Sequence, residues 1–384
     1  MAFKLVDKFS VKRKVINSLY NNRKWTDRGG LMKRVLIMGS IIACLLHAPS
    51  SDAYAKTSPT FTDVKSTYWA APVIYELVEK GFMEGYTDGT FKPNSTTTRA
   101  EAASIIARTM GIPLATDFVP EFTDVPANHR YYKEICKLAE LGIIQNASEF
   151  HPEAPLKRAH ISKMIALAYE VEVDQKNKTS FKDLPKNYWA KDYIESLADV
   201  EIVKGKTAKT FEPNEFVTRA HVAALTMRGM EFKEKINNLE VVYDFLQKDY
   251  IDTVNLHKQW EKKILELVNK ERAAKGLSPF MQDKKLTQIA IIKVKDMLKR
   301  NYFEHNSPFY GNPWDLATLF DYEYSSYGEN LARNFESPET TVKAWMASPK
   351  HRDNILKEVY THMGIGIEQS KNGKYYVVQH FSSK

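Results

Sequence analysis

The sequence is poor in cysteine. It has 2 Cys among 384 residues, and beyond residue 55 only Cys136 remains. A single thiol cannot close an internal disulfide, so a small disulfide-stapled fold is excluded and hydrophobic cores must hold the chain together. Cys136 stands between Ile135 and Leu138 in a helical pattern, which predicts a buried, unreactive thiol.

The sequence also lacks an apolar run long enough to cross a bilayer. The run from Val35 to Leu46 has 12 residues, whereas a spanning helix needs about 20. Lys33-Arg34 precedes this run and Ala53-Tyr54-Ala55 follows it, in the order of a secretory signal peptide. We therefore expect residues 1–55 to be a leader, with Met32 as an alternative start and no transmembrane segment after cleavage. An uncleaved N-terminal anchor is the alternative interpretation.

Beyond residue 55 the chain has almost no net charge. The formal net charge is +8, but the ten Lys/Arg and three Asp/Glu of residues 1–55 account for +7 of it. The remainder is nearly neutral and shows no basic stretch. The basicity therefore belongs to the leader, which argues against a nucleic-acid partner.

The sequence contains a motif written three times. Its arginines, Arg99, Arg158 and Arg219, are 59 and then 61 residues apart, and a fixed period of this kind predicts a repeat array. We place the repeats at 56–120, 121–178 and 179–232. The motif copies are Thr98-Arg99-Ala100-Glu101, Lys157-Arg158-Ala159-His160 and Thr218-Arg219-Ala220-His221, preceded by Phe61-Thr62-Asp63, Phe122-Thr123-Asp124 and Phe181-Lys182-Asp183.

Each repeat predicts a helix, a loop and a second helix. In the first copy the helices are expected at 70–80, ended by Gly81, and at 99–110. Thr98 and Glu101 predict a capping box at the start of the second helix. Arg99 then has two interpretations, a salt bridge of the Arg–Asp63 type or an anion site beside the free backbone N–H groups of the first turn.

These motifs resemble the S-layer homology (SLH) family across residues 61–232. The quoted elements are Phe-x-Asp-Val, a Trp about six residues later, Gly-Tyr-x-Asp-Gly-x-Phe-x-Pro and Thr-Arg-Ala-Glu. The resemblance implies an all-α, three-pronged module that grips a secondary cell-wall polysaccharide, often bearing pyruvyl ketals, on a Gram-positive-type bacterium. It also implies one groove lined by Asp63, Trp69, Gly85 and Arg99 and another lined by Asp183, Trp189, Gly205 and Arg219.

The second repeat departs from the family pattern. Arg130 and Tyr131 fall where Trp is expected, Asn146 replaces the second Gly, and Lys157 replaces the capping Thr. The first copy is therefore the most complete binding repeat. The Glu of the motif is replaced in two copies, by His160 and by His221.

Residues 233–256 form a charged connector without Pro or Gly. Leu239, Val242 and Phe245 recur at helical spacing, which predicts a helical spacer.

Residues 257–384 carry no repeat. Asp283 and Ser337-Pro338 mark helix starts, and the segment ends in two alternating strands around an Asn372-Gly373 turn. This pattern indicates a compact α/β domain with its own core.

Four polar residues of this domain are candidates for chemistry, because imidazole and carboxylate bind divalent metals and exchange protons near neutral pH. Their spacing of 24, 22 and 11 residues is equally compatible with separate structural histidines. Ser307 and Ser348 permit a nucleophile, although a Gly-x-Ser-x-Gly elbow is absent from the sequence. The four candidates are His305, Glu329, His351 and His362.

The surrounding motifs resemble the bacterial branch of the CAP superfamily (SCP domain) over residues 259–383. They include Phe303-x-His305-x-Ser307-Pro308, Tyr327-Gly328-Glu329-Asn330, Ser348-Pro349-x-His351-Arg352 and Met363-Gly364-Ile365-Gly366. The resemblance implies an α-β-α sandwich with a groove that holds two His and two Glu. By motif order His305, Glu329 and His362 match three of these.

Ser348 stands where the second family Glu is expected, and His351 is a candidate to fill that gap. The resemblance thus implies groove residues His305, Glu329 and His362, and a zinc site of His305 and His362 with His351 as the weaker ligand.

The sequence as a whole predicts a secreted, multidomain protein of the cell wall or S-layer, with an all-α SLH module and an α-β-α CAP domain. Three functions stay open for the CAP domain. It is a module for an unknown ligand or partner, a hydrolase in which Glu329 is the general base and a histidine polarises water, or part of a structural coat.

Overall fold

The computed structural model describes residues 60–384. The predicted leader, its cleavage site and the alternative start at Met32 lie outside the described residues. Within 60–384, none of the helices combines the length and apolar character that a membrane crossing requires.

Each repeat contributes two helices. The predicted capping box opens the second helix of the first repeat: Glu101 N donates to Thr98 Oγ1 at 3.2 Å, and Thr98 N donates to Glu101 Oε2 at 2.9 Å. Gly81 follows the first helix with a φ of +74°, as predicted for a terminating glycine. The helices are α1 (Ala71–Glu79), α2 (Arg99–Thr109), α3 (Tyr132–Glu140), α4 (Arg158–Ala168), α5 (Lys191–Asp199) and α6 (Arg219–Asn237).

The three repeats close into a ring around a shared centre. Thr97 N donates to Val217 O at 3.0 Å, Val217 N donates to Leu156 O at 2.9 Å, and Leu156 N donates to Thr97 O at 2.9 Å. All three residues are fully buried. Each repeat therefore completes the backbone hydrogen bonds of another, so the array is one cooperative unit. Cys136 is buried in it, as predicted.

The connector is a β-hairpin, and the predicted helical spacer is wrong. Strands β1 (Val241–Asp244) and β2 (Asp249–Asp252) pair antiparallel. Val242 and Ile251 pack against the C-terminal domain, whereas Tyr250 packs against the core of the repeats. Because both faces of the hairpin are covered, alternating β-branched and aromatic residues outweigh the helical spacing.

The C-terminal domain is built on a four-stranded sheet in the order β3-β5-β6-β4, with β3 parallel to β5 and the other pairs antiparallel. Its helices form two layers, α7, α10 and α11 packing on one face of the sheet and α8 and α9 on the other. The elements in chain order are α7 (Lys258–Ala273), β3 (Met281–Gln282), α8 (Lys284–Arg300), α9 (Pro313–Leu319), β4 (Ser326–Phe335), α10 (Pro338–Ala347), α11 (Pro349–Ile355), β5 (His362–Gln369) and β6 (Tyr375–Ser383).

Helix α8 lies directly on β5 because that strand presents glycines to it. A Cβ on Gly364 would come within 2.3 Å of the Leu286 carbonyl carbon, and one on Gly366 within 2.2 Å of that of Ala290. The other face of β5 carries apolar side chains into the opposite core. The close approach of α8 to the sheet positions the loop after α8 beside β4 and β6, where the candidate site lies.

Candidate functional site

The polar centre of the C-terminal domain is the carboxylate of Glu329. Glu329 is only 7% exposed, and each of its carboxylate oxygens lies within hydrogen-bond distance of a histidine. Oε1 lies 2.6 Å from His305 Nδ1, and Oε2 lies 2.8 Å from His380 Nε2. Burial raises the pKa of Glu329, but the two histidine contacts outweigh this and hold the pKa below its usual range. The carboxylate therefore stays ionised at neutral pH.

His380 is a site residue that sequence reasoning missed. It is fully buried on β6, directly opposite Glu329 on β4. Its Nδ1 lies 2.8 Å from the Tyr327 hydroxyl, whose pKa is raised well above its usual value by desolvation. The phenol therefore keeps its proton and donates a hydrogen bond to Nδ1 of His380. This bond fixes the tautomer in which Nε2 carries the hydrogen and donates to Glu329. A histidine inside an apolar strand was the available signal, since a buried imidazole needs partners.

His305 has the opposite exposure. Its side chain is 59% exposed, and Nδ1 is occupied by Glu329, so Nε2 is the ring nitrogen that can meet a ligand. Burial, and after it the charge of the nearby His305, lowers the pKa of His351. The backbone also connects them: Asn330 Nδ2 donates to His351 O at 3.0 Å, and Asn354 Nδ2 donates to Glu329 O at 3.2 Å.

His362 does not belong to this group, which corrects the predicted set of His305, Glu329 and His362. Its Nδ1 lies 2.8 Å from Thr361 Oγ1. In the sheet His362 pairs with Ser382, and β6 separates β5 from β4. Among the described residues, no contact joins His362 to Glu329. Motif order placed His362 in the site, whereas strand register places His380 there.

The residues present do not fit the zinc site implied by the resemblance. Both oxygens of Glu329 and both nitrogens of His380 are already hydrogen-bonded, and His362 lies elsewhere. Within residues 60–384 there is no group of three His, Cys, Asp or Glu side chains arranged to hold a metal. Ser307 is buried, and its hydroxyl donates to Asp296 Oδ2 at 2.7 Å, so a nucleophile at this position stays a prediction.

In the repeats, the aspartates of the Phe-x-Asp motif hold loops together. Asp63 accepts hydrogen bonds from Phe91 N and Lys92 N, each at 2.8 Å. Asp183 accepts the equivalent bonds from Phe211 N and Glu212 N at 2.9 and 2.6 Å. Both carboxylates are thus engaged within their own repeat.

Each motif arginine crosses to another repeat, so the predicted Arg99–Asp63 salt bridge is wrong, whereas anion binding by Arg99 stays a prediction. Arg99 Nε donates to Phe150 O at 2.7 Å, in the second repeat, rather than to Asp63. The first-turn amides of α2 are not free, since Arg99 N donates to Ala154 O at 3.0 Å. The pattern is cyclic: Arg158 Nε donates to Phe211 O at 2.9 Å, and Arg219 Nε to Phe91 O at 2.8 Å.

The grooves consequently lie between repeats, and the predicted grouping of residues within single repeats is wrong. Gly85 lines a cavity of about 110 Å³ together with Arg219 and Tyr131. Gly205 lines a second cavity of about 320 Å³ with Arg158 and Trp69. We call the second cavity the 205 groove. One repeat supplies its glycine, another its arginine and the remaining one its tryptophan.

The 205 groove is lined by four cationic side chains, one of which, Lys206, forms an ion pair with Glu215 at 2.6 Å. No carboxylate lines it, and the ring of Trp69, which is 55% exposed, lies 5.7 Å from that of His221. A Cβ on Gly205 would lie 2.3 Å from the Thr207 carbonyl, so glycine is needed there. The Gly85 cavity differs because Glu84 and Glu101 line it. The cations of the 205 groove are Arg158, Lys204, Lys206 and Arg228.

The family comparisons match both the repeats and the C-terminal domain. The S-layer homology domain matches residues 60–103, 121–161 and 180–223. The cysteine-rich secretory protein family, CAP, matches residues 265–381. The chain thus carries three SLH repeats followed by a CAP domain, the architecture of a cell-surface protein with a CAP module.

Particular relatives match each half separately. Protein YkwD of Bacillus subtilis (strain 168) is 46% identical over 111 residues, which is 29% of this chain and 43% of that protein. The S-layer protein of Bacillus thuringiensis subsp. finitimus is 31% identical over 191 residues, which is 49% of this chain and 23% of that protein. The chain therefore spans less than half the length of these curated relatives.

A solved structure also resembles this chain. It is the 1.5 Å crystal structure of an extracellular protein containing an SCP domain from Bacillus anthracis str. Ames, with a TM-score of 0.32 and 23% identity. The match covers 40% of this chain and 50% of that one.

Proposed function

We propose that the three repeats, as an all-α three-pronged module, hold this exported protein non-covalently on a secondary cell-wall polysaccharide, and that the CAP domain displays a ligand site at His305. The observation that carries the anchoring is the 205 groove, where Arg158, Lys204 and Arg228 lie beside an exposed tryptophan, while the fourth cation, Lys206, is paired with Glu215. A sugar polymer bearing carboxylates, such as pyruvyl ketals, has the matching chemistry.

The 205 groove is favoured over the Gly85 cavity on composition. In the Gly85 cavity Tyr131 occupies the place of tryptophan, and two carboxylates oppose an anionic ligand. The missing features of the second repeat are thus distributed among different grooves. Arg158, which the sequence did not single out as a binder, belongs to the one cavity described here that holds glycine, arginine and tryptophan together.

Replacing Trp69 by alanine is expected to weaken binding of the mature chain to purified cell wall by about tenfold or more, because a ring that covers a desolvated ligand carries a large share of its affinity. The measurement is co-sedimentation with walls over a range of protein concentrations. Trp189→Ala is the matched control, since Trp189 is 48% exposed and lies 5.1 Å from His160 but does not line the 205 groove. Equal losses in the two variants would contradict this choice of groove.

A second candidate function for the CAP domain is acid/base hydrolysis. It is favoured by the contact of 2.6 Å between His305 Nδ1 and the buried Glu329. A carboxylate in this position orients the ring and stabilises its charged form while Nε2 takes a proton from water. The roles predicted from sequence are then exchanged, with His305 as the base and Glu329 as the orienting group.

His305→Ala is expected to reduce any such hydrolysis by about a hundredfold or more, the usual contribution of a positioned base. The measurement is turnover of chromogenic esters and phosphoesters by the mature chain. His362→Ala, outside the Glu329 contacts, is the control and should retain the rate. Turnover that survives His305→Ala would rule out proton transfer at this residue and leave ligand binding as the role of the site.

A further inference from the structure

The loop that carries His305 contacts the connector hairpin. We propose that this hairpin is a positioning element of the CAP site, with Asp244 and Tyr310 as its positioning residues, and not a spacer. The inference rests on the proposed site at His305, because it concerns how that side chain is held against Glu329.

Helix α8 fixes the backbone at His305. Lys293, only 1% exposed, donates from Nζ to His305 O at 2.7 Å and to Glu304 O at 2.9 Å. An ammonium in such a buried position is stabilised by these carbonyls. They therefore anchor one side of the His305 backbone to α8.

Ser307 holds the other side of the loop. Its hydroxyl donates to Asp296 Oδ2 at 2.7 Å and accepts from Tyr310 N at 2.9 Å. Ser307 N donates to Gly311 O at 2.7 Å, and Gly311 N returns a bond to Ser307 O at 3.0 Å. Tyr310 is thus tied by its backbone to a residue two positions after His305.

The side chain of Tyr310 connects this loop to the hairpin. Its hydroxyl donates to Oδ2 of Asp244, and it accepts from Gln247 Nε2 at 2.5 Å. Asp244 is fully buried, and its Oδ1 also accepts from Leu246 N at 2.8 Å and Gln247 N at 3.0 Å. The Asp244 carboxylate therefore binds both the backbone of the hairpin turn and the Tyr310 side chain of the His305 loop.

The opposite face of the hairpin is held by the repeats. The Tyr243 hydroxyl donates to Asp174, and Lys176 Nζ donates to Gln247 O at 2.8 Å. These contacts fix the hairpin relative to residues 174–176, at the end of the second repeat. The hairpin thus contacts the repeats through Tyr243 and Gln247 and the His305 loop through Asp244 and Gln247.

Two matched variants test the inference, Tyr310→Phe and Tyr243→Phe, because each removes one hydroxyl that donates to an aspartate. In the mature chain, Tyr310→Phe should accelerate amide hydrogen exchange in residues 304–311 about fivefold, the effect of one lost hydrogen bond. It should also shift the imidazole ¹⁵N resonances of His305. Tyr243→Phe should leave both readouts at wild-type values while accelerating exchange around residues 172–176.

Unchanged exchange and unchanged His305 resonances in Tyr310→Phe would overturn the inference, as would equal changes in the two variants. If Tyr310→Phe does not fold, Gln247→Ala removes the donor to the Tyr310 hydroxyl and should produce the same local changes. Neither readout requires a ligand. A His305→Ala variant without a binding or catalytic defect would therefore refute the proposed function and leave this result standing.

Discussion

Replacing Glu329 by alanine is expected to lower the free energy of unfolding of the CAP domain by roughly 3 kcal/mol. The variant removes an acceptor from His380, which has no exposed surface and would keep a buried N–H without a partner. His305 loses its contact too but is solvated, so its share of the cost is small. Glu329→Gln is the matched control, because the amide keeps the volume and one acceptor oxygen, and its loss should be about half as large.

The measurement is urea unfolding of each variant at pH 7, followed by near-UV signals of the domain. The pH dependence has a definite sign. The pKa of Glu329 is lower in the folded chain than its usual value, so its contribution is present above about pH 4.3 and is lost as the pH falls through the folded pKa. The difference in free energy of unfolding between wild type and Glu329→Gln should therefore become smaller only at acidic pH. A Glu329→Ala variant as stable as wild type at pH 7 would contradict the buried pairing.

Local features of the repeats could be predicted because their causes are close in sequence. Thr98 and Glu101 are three residues apart, and that spacing alone places each side chain on the other's backbone. The arginine contacts are different. Arg99 and its carbonyl partner are 51 residues apart, and Arg219 Nη2 meets Glu84 O across 135 residues. A periodic motif does not specify which copy lies next to which, so the set of residues that lines each groove could not be predicted from the sequence.

The CAP site divides along the same line. His305 and Glu329 both stand in recognisable motifs, and the structure joins them. His380 depends on the register of β4 with β6, which a linear pattern does not contain. On β6, His380 lies opposite Glu329, and Ser382, two residues later, lies opposite His362. Motif order selected His362 for the site.

The connector shows how tertiary packing decides a short segment. Leu239, Val242 and Phe245 fit a helix, but the strands here are only four residues long. For such lengths the contacts on each face matter more than periodicity. Asp244 adds a specific cause, since its carboxylate takes the amides of the following turn. Asp244 is buried there because Tyr310, which is distant in sequence, donates a hydrogen bond to its carboxylate.

The second large effect is expected from Arg272→Met, which should destabilise the CAP domain by about 3–5 kcal/mol. Arg272 is 1% exposed, and its guanidinium lies 3.8 Å over the Phe280 ring. Methionine has a similar length but donates no hydrogen bond, so a set of buried carbonyls would lose their donors together. The carbonyl oxygens are those of Ser278 at 2.7 Å, Ile355 at 2.8 Å, Lys357 at 3.0 Å and Tyr360 at 3.3 Å.

These bonds connect α7 to the chain between α11 and β5, so their loss should free the start of β5 as well as the helix. Thermal and urea unfolding of the mature chain measure the cost. Arg333→Met is the control, because Arg333 is exposed on β4 and lies 4.7 Å over the Phe303 ring, a contact worth at most about 1 kcal/mol at such a site. Arg272→Lys should fall between the two, since an ammonium keeps the charge but cannot reach all four carbonyls. Equal stability of Arg272→Met and Arg333→Met would show that the buried guanidinium does not hold the two segments together.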